Sequence, residues 1–64
     1  MKNLIEWYKK ERISGNLKPI DMIIEKPISL ILYKHQDFPN KIIIALAING
    51  LLTNVFMIPK NESN

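Results

Sequence analysis

Sixty-four residues with no cysteine and a single histidine, His35, exclude a disulfide framework and leave too few ligands for a structural metal site. The net charge of +3 favours solubility and acidic partners, but it is too mild to single out nucleic acid. A chain this short makes one domain, residues 1–64, that buries only about 60% of its unfolded surface.

Asn3 to Ser14 reads as a helix. Asn3 is placed to cap the first turn, and Glu6 follows three residues later as in a capping box. Leu4, Ile5, Tyr8 and Ile13 fall on one face, with Trp7 at its margin. Glu6, Lys9, Lys10 and Glu11 lie mainly toward the other. Gly15 is positioned to end the helix in a left-handed conformation, with Asn16 behind it.

Asn16 to Lys26 fits two readings. Pro19 suits the first position of a short helix, which would gather Ile20, Ile23 and Ile24 on one face. Met22 to Glu25 equally suits a short strand. Pro27 closes the segment in either case.

Ile28 to Lys34 reads as a strand, and the polar stretch His35 to Asn40, with Pro39, as a connection. Lys41 to Ile48 and Leu51 to Ile58 are aliphatic runs on either side of Asn49-Gly50, a strong signal for a two-residue hairpin turn. Such a turn pairs Ile48 with Leu51, Leu46 with Thr53, Ile44 with Val55 and Ile42 with Met57 on one face. Ala45, Ala47, Leu52, Asn54 and Phe56 then share the other. Pro59 stops the last strand, and 60–64 reads as a frayed polar tail. The expected fold class is α+β: an N-terminal helix packed on a small antiparallel sheet of about three strands ending in the Asn-Gly hairpin.

Both hairpin faces are largely apolar, so both need covering. The helix can cover one, approaching closely over Ala45 and Ala47. Twelve isoleucines and seven leucines are a large aliphatic load for so small an interior. A second subunit is the simplest cover for the other face, and Ile42, Ile44, Leu46, Val55 and Met57 are its expected interface. A rival organisation reads Ile42 to Ile58, seventeen uncharged residues, as one membrane-spanning helix. The Asn-Gly pair and the β-branched content favour the hairpin.

No catalytic constellation stands out. Ser14, Ser29, Thr53 and Ser63 form no motif around His35, and nucleophilic catalysis needs a nucleophile oriented by a base. Gly15 and Gly50 punctuate the chain rather than build a phosphate loop. His35-Gln36-Asp37 reads as a polar turn. Lys9, Lys10 and Arg12 beside Trp7 and Tyr8 offer charge next to aromatics, as in single-strand nucleic-acid binding. Basic residues at a helix C-terminus equally answer the macrodipole, with Trp7 and Tyr8 as core or interface anchors. Lys18, Lys26, Lys34 and Lys41 flank strands, where lysine opposes edge-to-edge aggregation. Tyr33-Lys34-His35 resembles a tripeptide of the bacterial Sm-like chaperones. There it follows a glycine-containing hairpin and here it precedes one, so no function is carried across.

The expectation is therefore a small non-catalytic protein-binding module without cofactor or metal. It is expected to be a homodimer or higher oligomer that regulates or inhibits a larger protein. A nucleic-acid binder using Trp7, Lys9, Lys10 and Arg12 is the alternative, and a single-span membrane peptide a further one. The missing cysteines and the lack of an apolar stretch behind a basic start point to the cytoplasm. Heavy use of isoleucine, asparagine and lysine suits a low-GC bacterium, its phage or a mobile element.

Overall fold

The computed structural model describes residues 3–60. Beyond Lys60, the tail read as frayed lies outside the described residues. One helix, α1 (Leu4–Ser14), precedes four strands: β1 (Leu17–Glu25), β2 (Ile28–His35), β3 (Phe38–Ile48) and β4 (Leu51–Pro59). The strands form one antiparallel sheet in the order β1-β2-β3-β4, so the class is α+β with one strand more than expected.

Both ends of α1 follow from local chemistry. The Asn3 side chain accepts the Ile5 N–H at 3.0 Å, satisfying one of the donors that a helix start leaves open. At the other end Gly15 sits at φ 81°, and its N–H reaches the Arg12 carbonyl while Asn16 N–H reaches that of Glu11. This double closure is the Schellman arrangement. The face prediction holds at Tyr8, which is buried, and fails at Ile13, which is 88% exposed. Ile13 lies in the last turn of the helix.

The extra strand is the segment that fitted two readings. Leu17–Glu25 is extended throughout, with Pro19 inside it. β1 is an edge strand, where a residue without an N–H is tolerated, and the register slips between Pro19 and Asp21, leaving Ile20 as an extra residue. The expected connection at 35–40 shrinks to Gln36-Asp37, because Phe38 already pairs with His35. Pro39 follows where β2 offers no partner, so its missing N–H breaks no ladder bond.

One residue decides which face each β4 side chain occupies. Asn49 (φ 55°) and Gly50 (φ 79°) make the tight turn, and Ile48 pairs with Leu51 as expected. The register then shifts between Leu46 and Ala47, leaving Thr53 as the extra residue. Leu46 therefore faces Asn54, Ile44 faces Phe56, and Ile42 faces Ile58. This corrects the expected pairs Leu46–Thr53, Ile44–Val55 and Ile42–Met57. Side chains alternate with period two, so one inserted residue exchanges the faces of everything beyond it.

The core lies between α1 and one face of the sheet. Tyr8 from the helix meets Leu17, Tyr33, Ile43, Ala45 and Val55, with Leu4, Ile5, Trp7, Ile31, Leu52 and Met57 packed around them. Ala45 is buried in this core, but the helix backbone comes near β4 and β1 and not β3, so the close approach expected over Ala45 and Ala47 is not found. The Tyr8 and Tyr33 hydroxyls hydrogen-bond each other at 2.8 Å inside this core, with the rings edge to face at 5.5 Å. Burial, and then the hydrogen bond with Tyr8, pushes the Tyr33 hydroxyl up to about 12.

Candidate functional site

In a four-stranded meander the start of β1, the end of β2, the start of β3 and the end of β4 meet at one end of the sheet. The C-terminal end of α1 meets them through a chain of polar contacts. Asp37 N–H donates to His35 Nδ1 at 2.9 Å, which makes Nδ1 the acceptor and leaves the ring proton on Nε2. Nε2 then donates to Glu11 Oε1 at 2.7 Å. Asn16 Nδ2 donates to the same oxygen, and Gln36 Nε2 donates to Asn16 Oδ1, each at 2.9 Å. Trp7 stacks on the imidazole at 5.4 Å, and Phe38 packs against both rings. His35 is thus a buried polar tie between helix and sheet, with both nitrogens used by the fold.

The hydrogen bond from His35, then that from Asn16, holds the Glu11 carboxyl below its ordinary 4.5. A depressed folded value means that the contribution is full above about 4.5 and is lost as pH falls through the folded value. The thermal midpoint of the parent is expected to exceed that of Glu11→Gln at neutral pH. The gap should close as pH falls through the lowered folded value. A gap that stays constant from neutral to acid pH would show that the carboxylate contributes nothing through its charge.

Among the described residues, no element packs on the far face of the sheet. Ile23 of β1, Leu30 and Leu32 of β2, Ile42, Ile44 and Leu46 of β3, and Phe56 and Ile58 of β4 share it by register. None of them is buried, and Ile23, Phe56 and Ile58 are each more than 40% exposed. Of the expected interface residues, Ile42, Ile44 and Leu46 stand on this open face. Val55 and Met57 do not: the Thr53 bulge turns them toward the helix, Val55 into the core and Met57 beside it. Phe56 and Ile58 take their places. Leu30 and Leu32 were missed because the second strand was never aligned with the hairpin, although their alternation with Ser29 and Ile31 was visible.

The expected basic and aromatic cluster on the helix is divided. Lys9, Lys10 and Arg12 are exposed. Tyr8 is 2% exposed, and Trp7 is half-buried against His35, so neither ring stands free beside those charges as a stacking platform. A second basic group is gathered instead, from three lysines read as strand-flanking, Lys18, Lys34 and Lys41, and one read as part of the tail, Lys60. Lys18, Lys34, Lys41 and Lys60 line one cavity of about 590 Å³ at the meeting of strand ends, with Ile20, Pro39 and Ile42 in its walls. The signal for it was topological: in a meander these four positions must come to the same end.

Ile42 to Ile58 is two strands and a turn, not one helix, and among the described residues no helix is long and apolar enough to cross a membrane. Compared with known protein families, with curated proteins and with solved structures, the chain matches none of them.

Proposed function

We propose that this chain is a non-catalytic protein-binding module that pairs with a second copy of itself through the open sheet face, the pair acting as a regulator or inhibitor of a larger protein. The open face carries the reading. Four strands about 4.8 Å apart and about eight residues long, at about 3.3 Å per residue, make a surface of roughly 500 Å². Two such faces in contact bury on the order of 1,000 Å² before side-chain relief is counted, close to the roughly 1,200 Å² at which stable interfaces begin. A twofold pairing also matches like with like, since an apolar face is complementary to itself.

The sheet edges favour this face over strand addition. β1 carries Lys18, Pro19, the Ile20 bulge, Asp21 and Glu25 along its length. β4 carries the Thr53 bulge and ends at Pro59. Charges, prolines and bulges all discourage a neighbouring strand from docking.

Analytical ultracentrifugation tests the reading. The parent is expected to sediment as a dimer at micromolar concentration. Ile44→Glu, which puts a charge at the centre of the open face, should sediment as a folded monomer with an unchanged circular dichroism spectrum. A monomeric parent, or an Ile44→Glu variant that remains dimeric, would overturn the proposed pairing.

A further inference from the structure

The cavity at the strand ends lies where two ladders break at once. Between the pairs Tyr33–Ile43 and His35–Phe38, β2 contributes Lys34 alone while β3 contributes Pro39 to Ile42. On the other side of β2, the extra residue Ile20 opens the β1 ladder at nearly the same level. The sheet therefore splays there, and the unpaired residues line the resulting hollow. Bulges of this kind re-aim side chains and are common beside binding sites.

The charge in the hollow is one-sided. Lys18 and Lys34 are directly opposed partners across β1 and β2, an arrangement that like charges disfavour. Lys41 and Lys60 join them, and among the described residues lining the cavity none is acidic. Among the described residues no lysine ammonium lies within ion-pairing distance of a carboxylate, so none of the four is matched there. A hollow of about 590 Å³ is roughly 8–10 Å across, comparable to the screening length at physiological salt, so the four fields add. Asn16 and Gln36, already fixed by their mutual hydrogen bond, supply amides at the same wall.

We propose that this cavity binds a ligand carrying two or more phosphate groups. Lysine ammonium groups act as compact point charges and suit clustered phosphate oxygens, while paired carboxylate recognition favours the arginine fork. Ile20 and Pro39 give the same hollow an apolar wall on which the non-phosphate part of the ligand can rest. A free polyphosphate compound and the backbone of a nucleic-acid strand share this chemistry.

Two probes separate the sources: inorganic tripolyphosphate by titration calorimetry, and a fluorescein-labelled oligothymidylate by anisotropy, both at low salt on the full chain. Binding of tripolyphosphate, or its displacement of the oligonucleotide, assigns the site to compact phosphates. Oligonucleotide binding that tripolyphosphate does not displace assigns it to a strand. Lys18→Gln/Lys34→Gln should weaken whichever probe binds by about tenfold or more. For the oligonucleotide it should also make the dependence of log K on log salt shallower by about 1.5. Lys9→Gln/Lys10→Gln, which removes equal charge from the helix, should change affinity less than about twofold. On the parent, tripolyphosphate or oligonucleotide should shift the amide resonances of Gly15, Asn16 and Gln36 and leave those of Lys9 and Lys10 in place. Binding of neither probe, equal weakening by both double variants, or shifts centred on the helix would overturn the assignment.

Discussion

Ile43→Ala is expected to lower the free energy of unfolding by about 2–5 kcal/mol, whereas Ile44→Ala, one residue along, should cost the isolated subunit about 1 kcal/mol or less. Ile43 is fully enclosed in the core, paired with Tyr33 on β2 and Met57 on β4 under the helix. Deleting its outer atoms leaves a cavity that the surrounding close packing can only partly fill. A domain of 64 residues has roughly 3–10 kcal/mol of stability in all, so the loss at Ile43 is a large share of it. Ile44 points the other way, to the open face. Its truncation should appear as a weaker dimer, with a denaturation midpoint that is lower and depends less on protein concentration than the parent's, because more of the folded chain is already monomeric. Urea titrations of both variants at two protein concentrations make the comparison. Equal, concentration-independent losses at the two sites would mean that the open face plays no part in association.

That contrast also shows how far the sequence could be read. The helix was legible to the residue at both ends, because Asn3, Gly15 and Asn16 act through backbone groups beside them. The Asn49-Gly50 turn was legible for the same reason. The faces of β4 were not, because the residue types around Thr53 carry no mark of the bulge that shifts the register there. β1 was ambiguous because Pro19 weakens a strand wherever it is central and is harmless at an edge, and edge position is a property of the whole sheet. The open face was anticipated from the aliphatic excess, but only three of its five named residues were placed correctly. The lysine cavity was invisible along the chain, since its residues are separated by whole strands.

The turn links this legibility to stability. Gly50→Ala is expected to destabilise the fold by about 1–2 kcal/mol, Gly50→Val by more, and Gly50→Asn by less than either. Gly50 sits at φ 79°, and a Cβ built on it meets nothing within 4 Å. The cost is therefore one of backbone conformation and not of collision, which is why the ranking should follow tolerance of positive φ instead of side-chain volume. Asparagine visits this region more readily than alanine, and a β-branched residue least of all. The neighbouring residue carries a second consequence. Asn49 N–H donates to the Pro27 carbonyl at 2.8 Å, so the β3–β4 turn is tied to the β1–β2 turn beside it. Strain at Gly50 should thus loosen both turns, and hydrogen exchange should quicken at Asn49 together with Ile48 and Leu51. The apolar open face makes aggregation the visible outcome once the register loosens. Thermal melts of the three variants give the ranking; a series ordered by side-chain size, with asparagine worse than alanine, would mean that crowding at the turn sets the cost and not its handedness.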